Sequence, residues 1–133
     1  MAVLVDSNVL IDIFTCDRRW FGWSREQLIR LADEDELVIN QVILAEIAVG
    51  FESEKELNFA LSEMPVRREN LPWEAAFVAA KRFLEYRRRG GAKKVPLPDF
   101  YIGAHAFVKG YKLLTRDKRL YRTYFPEVEL VAP

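Results

Sequence analysis

Three times along this chain a short run of aliphatic residues gives way to a polar residue suited to opening a helix. Ala2-Val3-Leu4-Val5 runs into Asp6-Ser7-Asn8, Leu37-Val38-Ile39 into Asn40, and Lys112-Leu113-Leu114-Thr115 into Arg116-Asp117. Short continuous apolar runs read as strands covered on both faces. Asp, Ser and Asn are favoured N-caps because their side-chain oxygens accept the unpaired N–H groups of a first helical turn. Strands that alternate with helices in this way must lie parallel, with the crossover helices packed on both faces of the sheet. The expected fold is α/β, a single domain over residues 1–133 with a central, mostly parallel sheet of about four to five strands. Open sheets of this kind bind ligands at the carboxyl ends of their strands. Asp6 and Asp117 are therefore expected at a functional edge.

Between these anchors the chain reads as follows. Thr15 to Trp23 is expected to be a loop or broken turn, after which Ser24 caps a helix carrying Leu28, Leu31 and Ala32. The acidic run Asp33 to Glu36 ends that helix. Asn40 caps a helix from Gln41 to Val49, stopped by Gly50. Ser53-Glu54-Lys55-Glu56 fits a capping box, and its helix is expected to bury Leu57, Phe59, Ala60 and Leu61. Val66 to Arg68 makes a third, weak strand. Pro72 suits the first turn of a long helix whose buried stripe is read as Trp73, Ala76, Phe77, Ala80, Phe83 and Leu84. Arg87 to Lys94, with paired glycines and three arginines, reads as a turn. Pro98 opens a helix running from Asp99 to Gly110, Lys118 to Tyr124 is a short helix, and Val128 to Val131 a last strand.

Charge and cysteine content exclude several classes. The 20 basic and 20 acidic residues cancel, so only local clustering can select a partner. Cys16 is the one cysteine, which rules out an intrachain disulfide and fits a reduced, cytoplasmic setting. No apolar run approaches the roughly 20 residues needed to span a bilayer. The N-terminal apolar stretch carries Asp6 and lacks basic flanks, unlike a signal peptide.

Four acids stand out together. Asp6 and Asp117 end strands, Asp99 lies in a first helical turn, and Glu46 sits just over one turn into a helix that follows a strand. Glu46 is flanked by Val42-Ile43-Leu44-Ala45 and Ile47-Ala48-Val49, with no other polar residue to define a solvated stripe. An ionised carboxylate buried there needs a partner or a metal. Each acid alone has a structural explanation as a cap or turn residue, but the fold brings all four to one edge. Clustered carboxylates raise one another's pKa values, and two divalent cations would neutralise them. Oxygen-only ligands favour Mg²⁺ or Mn²⁺, whose open positions suit substrate phosphates. Phosphodiester hydrolysis is the chemistry that such a site serves without a side-chain nucleophile.

Val5-Asp6-Ser7-Asn8 after a first strand, Glu46 in an apolar helix, Pro98-Asp99-Phe100-Tyr101-Ile102-Gly103-Ala104 and Leu113-Leu114-Thr115-Arg116-Asp117 together resemble the PIN-domain nucleases. Size and order of elements are most similar to the VapC-type toxins of prokaryotic toxin–antitoxin pairs. The resemblance covers essentially the whole chain. It implies that Asp6, Glu46, Asp99 and Asp117 form an acidic, catalytic metal site, with Asn8 and Thr115 as polar supports. Ser7 stands where the family commonly has threonine, which keeps the hydroxyl. It further implies a metal-dependent endoribonuclease acting on RNA, a homodimer, and a cognate antitoxin partner.

Other features carry weaker chemistry. His105, the one histidine, is read as a packing or surface residue rather than a general base. From Lys81 to Lys94 seven basic residues face one acid, Glu85, so the run leading to Asp99 is expected to rim the cleft. Arg88, Arg89, Lys93 and Lys94 are its expected RNA-phosphate contacts. Trp20, Phe21 and Trp23, beside Arg18 and Arg19, are read as core or partner surface rather than base-stacking residues. Competing readings fit less well. An Asp-based phosphatase requires a second Asp where Asn8 stands, and a receiver domain requires an acid where Asn40 follows the middle strand. A non-toxin PIN nuclease of RNA processing is the nearer alternative. A decayed nuclease scaffold should have lost an acid, and none is missing.

Overall fold

The computed structural model describes residues 1–90 and 97–133. Five strands, β1 (Ala2–Val5), β2 (Glu36–Ile39), β3 (Val66–Arg68), β4 (Lys112–Leu114) and β5 (Leu130–Val131), form one sheet in the order β3-β2-β1-β4-β5. Every pairing is parallel, with Leu4 opposite Val38 on one side and Leu113 on the other. Seven helices connect the strands among the described residues: α1 (Ser7–Phe14), α2 (Phe21–Glu34), α3 (Gln41–Ala48), α4 (Glu54–Ser62), α5 (Trp73–Arg88), α6 (Leu97–Lys109) and α7 (Lys118–Tyr124). Parallel crossovers are almost always right-handed. The chain steps outward from β1 to β2 to β3, then returns past β1 to β4 and β5. The reversal of direction puts α1 to α4 on one face and α5 to α7 on the other. It also makes the carboxyl ends of β1 and β4 the point where the topology switches, which is where α/β sheets bind ligands.

The central strands explain their own burial. Val3, Leu4, Val5, Val38, Leu113 and Leu114 are all inaccessible to solvent, as strands sandwiched between two helical layers must be. Two of the expected caps form as read: Asn40 Oδ1 accepts from Ile43 N–H at 3.0 Å and Ser53 Oγ from Glu56 N–H at 3.2 Å. No helix among the described residues is long and apolar enough to cross a membrane.

The structure departs from the sequence reading at several helices. The stretch Thr15 to Trp23 is not all loop. Asp17 Oδ1 accepts the N–H groups of Arg19 and Trp20 at 2.9 and 2.8 Å, which turns the chain early, and α2 starts at Phe21. Ser24 is then no cap. It lies buried inside α2 and donates to Asp12 Oδ2 at 2.8 Å. In α4 Leu57 and Leu61 are buried as expected, but Phe59 is exposed. The stripe read for α5 is also displaced: Trp73 is 90% exposed, Phe77 68%, and Ala80 and Leu84 face solvent. Ala75, Ala79 and Tyr86 are buried instead. Alanines on that face let α5 lie close against α6, so the large aromatics turn outward. Arg87 and Arg88 close α5 as helical residues, where a turn from Arg87 was expected. Gly90, at φ +76°, then takes the left-handed conformation that only glycine adopts without strain. The remainder of that expected turn, Gly91 to Lys94, lies outside the described residues. The last strand is shorter than read, Val128 being buried ahead of β5.

Candidate active site at the carboxyl edge of the sheet

The site is built outward from Asp6, the residue after β1. Its backbone N–H still belongs to the sheet, donating to Leu114 O at 2.9 Å. Its extended backbone (φ −65°, ψ 150°) ends the strand, and its Oδ1 accepts from Ser7 N–H at 2.7 Å as α1 begins. The other carboxylate oxygen, Oδ2, accepts from Thr115 Oγ1 at 2.8 Å, Tyr121 Oη at 3.2 Å and Asn8 Nδ2 at 3.4 Å. Asp6 is therefore held in one rotamer from β1, from the end of β4 and from α7 at once.

The other acids gather around it. Ser7 Oγ donates to Glu46 Oε1 at 2.8 Å, which ties α3 to the end of β1. Thr115 Oγ1 also accepts the Asp117 N–H at 3.1 Å, fixing the turn that carries the fourth acid. Asn8 spans the same two segments, its Oδ1 accepting the Arg116 N–H at 3.2 Å. Asp117 heads α7 without a side-chain capping bond, so its carboxylate is not engaged as a cap. Asp99 occupies the first turn of α6, as read from the sequence. Glu46 is half-buried, but not for the reason the sequence suggested. Only Ile43 and Ile47 of α3 are buried, whereas Ala45 and Val49 are exposed. Beyond Gln41, the solvent-facing stripe of the helix is made of apolar side chains.

The four acids lie near enough for their charges to act on one another. Burial pushes the Asp6 carboxyl up to about 6 against its hydrogen bonds from Thr115 and Tyr121, and the Glu46 charge adds to the rise. Asp99 rises to about 7, chiefly through burial and then through the charges of Asp6, Glu46 and Asp117. Burial, followed by the charges of Asp6 and Asp99, raises the Tyr121 hydroxyl well above its usual value, so it remains a neutral donor. Among the described residues no three ligand side chains stand together as a ready-made ion site. What converges is mutually repelling negative charge on hard oxygen donors. That donor set fits a hard divalent cation and no soft metal, and a cation's charge would reverse the upward shifts.

Sequence reasoning missed several residues here. Tyr121 follows Asp117 by one helical turn, so i, i+4 spacing on α7 was the available signal. Asp12, buried at 1% exposure, receives both Arg116 Nε at 2.8 Å and Nη2 at 2.9 Å, besides Ser24. Arg116 also lies over Trp20, 5.4 Å from the ring centroid. This pair clamps the loop bearing Asp117 to α1 and α2. Trp20 and Trp23, in edge-to-face contact at 6.2 Å, are half-buried packing residues. His105 is fully buried, with Nδ1 2.9 Å from Asn40 Nδ2 and Nε2 2.9 Å from Glu69 Oε2. Asn40 Oδ1 already accepts from Ile43, so its amide donates to Nδ1, and the His105 proton sits on Nε2. The histidine joins the cap of α3 to α6 and takes no place among the acids. Of the basic run, Arg88 is exposed at the end of α5, while Arg89 pairs with Glu85 at 2.7 Å and lies over the Tyr124 ring. Lys93 and Lys94 fall outside the described residues.

The fold is a parallel α/β sheet that carries acidic side chains at its topological switch point. The chain belongs to the PIN domain family, whose model matches residues 3–126. Solved structures share this fold. The VapBC2 pair of Rickettsia felis, bound to a fragment of its promoter DNA, superposes with a TM-score of 0.78 at 16% identity, over 100% of this chain and 99% of that one. A toxin–antitoxin complex from Klebsiella pneumoniae gives 0.68 at 25% identity, over 97% and 95%. VapC20 of Mycobacterium tuberculosis, described as a toxin that cleaves the sarcin–ricin loop, gives 0.62 at 16%, over 96% and 98%. No curated protein matches the sequence.

Proposed function

We propose that this protein is a Mg²⁺- or Mn²⁺-dependent endoribonuclease and the toxin of a toxin–antitoxin pair. The observation that carries this reading is the convergence of Asp6, Glu46, Asp99 and Asp117, with Asp6 and Asp99 both driven toward neutral pKa values. Asp6, Asp99, Asp117 and Glu46 would hold the cation. When bound, the metal supplies an activated water and charge stabilisation at the phosphodiester. The protein's own part is positioning. Thr115, Tyr121 and Ser7 donate to Asp6 or Glu46 and so hold those carboxylates open toward the edge, and Asn8 locks the β4–α7 turn beside them.

The phosphatase reading lacks support, because the residue two after Asp6 is an amide that donates to Asp6. Control by a protein partner is the second part of the reading. Known structures similar to this chain are toxin–antitoxin complexes. A cytoplasmic nuclease needs its cleft covered, and a partner's Arg or Lys could pair with the acids where metal would bind. The apolar cleft of Ile11, Phe14, Ile47, Val49 and Phe51, which reaches Glu46, offers such a partner a hold. The exposed Trp73, Phe77 and Leu84 of α5 support self-association as a homodimer.

The test is cleavage of RNA by purified protein with Mg²⁺ or Mn²⁺. Chelator should stop it. Asp6→Asn and Glu46→Gln should lower the rate at least a thousandfold while retaining the fold, and Asp117→Asn should have the mildest effect. Full activity in excess chelator would overturn the nuclease reading. Growth arrest on expression alone, absent with Asp6→Asn, tests the toxin reading separately.

A further inference from the structure

His105 is fully buried, is the one histidine of the chain, and has no part in the positioning just described. It stands in a line of polar side chains that crosses from the sheet to two helices. Glu69, just after β3, is fixed by its backbone N–H, which donates to Ile39 O at 2.8 Å. Its Oε1 accepts from Tyr111 Oη at 2.8 Å and from Arg67 Nη2 at 3.3 Å, and its Oε2 accepts the His105 Nε2–H at 2.9 Å. His105 Nδ1 then accepts from Asn40 Nδ2 at 2.9 Å, while Asn40 Oδ1 takes the Ile43 N–H and caps α3. Each bond has one possible direction. Burial would raise the Glu69 carboxyl, but the hydrogen bonds from His105 and Tyr111 outweigh it and hold the group below its ordinary pKa. An ionised carboxylate cannot donate, so the imidazole proton stays on Nε2 and Nδ1 is left as an acceptor. Burial also holds His105 below its ordinary pKa against the pull of Glu69, and the Lys109 charge adds to the lowering, so the ring stays neutral. Among the described residues no buried side-chain nitrogen or oxygen lacks a partner.

We infer that the Asn40–His105 hydrogen bond is a positioning element of the acidic site: it fixes the root of α3 against α6 and so sets where Glu46 stands relative to Asp99. The inference rests on the nuclease reading above. Glu46 lies six residues after Asn40 on α3, and Asp99 six residues before His105 on α6. Each acid is therefore about 9 Å along its helix from the link. A tilt of α3 by about 6° at its root moves a residue that far along by about 1 Å. An error of about 1 Å in the geometry of a reacting site can cost about 100-fold in rate. Apolar packing between the helices is non-directional and permits such a shift, whereas a short hydrogen bond with a fixed donor and acceptor does not. The Ser7 Oγ bond ties Glu46 to α1. The Asn40–His105 bond ties its helix to the helix that bears Asp99.

Three variants separate the link from the cap and from the bulk of the ring. Asn40→Ser keeps an N-cap of comparable strength but is too short to reach Nδ1. His105→Asn keeps an acceptor facing Asn40 and gives up the contact with Glu69. His105→Leu fills the space without either bond. Metal affinity is read by calorimetric titration of the RNA-free protein with MnCl₂ alone, cleavage by steady-state kinetics on a fluorescein-labelled RNA, and stability by thermal unfolding. Asn40→Ser and His105→Leu should lower kcat about 10- to 100-fold with KM within about threefold of native, and weaken Mn²⁺ binding about tenfold. His105→Asn should keep kcat and Mn²⁺ affinity within about threefold of native, yet melt below Asn40→Ser because a void stands where the ring was. A merely structural network cannot give that inversion, since its losses of activity would follow its losses of stability. In metal-free protein the ¹⁵N resonances of the single imidazole should report the Nε2–H tautomer, and Asn40→Ser should shift Nδ1 while leaving Nε2 in place. Native kcat and Mn²⁺ affinity in Asn40→Ser, activity that falls in step with melting temperature across the three variants, or an Nδ1–H tautomer overturns the positioning role. Native protein that binds Mn²⁺ but cuts no RNA overturns the nuclease reading instead, and the Mn²⁺ titrations of the variants still decide the link. Native protein that does neither overturns both.

Discussion

Replacing Asp99 by Asn should make the metal-free protein more stable while abolishing its activity. In the folded state Asp99 titrates at about 7, against 3.8 for an ordinary Asp, because it is buried among Asp6, Glu46 and Asp117. A carboxyl whose pKa rises on folding adds full stability below its unfolded pKa and loses it as pH climbs through the folded value. The whole shift corresponds to about 4 kcal/mol at pH 8, where both states are ionised. Asp99 is partly exposed, so solvent screening leaves about 1–2 kcal/mol of this to be recovered by the neutral amide. For a domain of this size the gain is roughly 3–8 °C in Tm. The assay is thermal unfolding in chelator at pH 8 and at pH 4. The Asn variant should melt higher at pH 8 and, to within a few tenths of a kcal/mol, equally at pH 4, where the folded carboxyl is protonated and the unfolded one about half so. Added Mg²⁺ or Mn²⁺ should raise the native Tm and close or reverse the gap, since ligand binding to the folded state stabilises it. Equal or lower stability of Asp99→Asn at pH 8, or a gap that is the same at both pH values, would refute the view of the site as repelling charge awaiting a cation.

Three further outcomes follow from the same geometry. Tyr121→Phe removes a donor that holds the Asp6 carboxyl down, so the acidic limb of the pH–rate profile should move to higher pH, by up to about one unit. An unchanged limb would show that Tyr121 only packs. Gly103→Ala places a methyl under 3.0 Å from the Phe125 ring, which is fully buried, and should cost about 1–3 kcal/mol by urea unfolding, with RNA affinity retained. Neutralising Arg88, Arg89, Lys93 and Lys94 together should weaken RNA binding and lower its salt slope by about 0.7 for each phosphate these side chains would neutralise, whereas an unchanged slope marks the run as a solvated face.

What the sequence by itself determined was whatever depends on short-range chemistry. The alternation of aliphatic runs with helix-opening residues dictated a parallel sheet, and the caps at Asn40 and Ser53 form as their side chains allow. The four acids were legible because each stands at a strand end or in an early helical turn, and in a doubly wound sheet those places meet. Which face of a helix is buried was not legible for α5. Its sequence carries an aromatic stripe and an alanine stripe side by side. Only the close approach of α6 selects Ala75 and Ala79 for the interior, leaving Trp73 and Phe77 in solvent. The same holds for the supports of the site. Tyr121 reaches Asp6 across 115 positions, and Arg116 reaches Asp12 across 104. Those hydrogen bonds depend on where α7 and the β4–α7 turn come to rest against α1, a matter of packing between distant segments that no local propensity encodes.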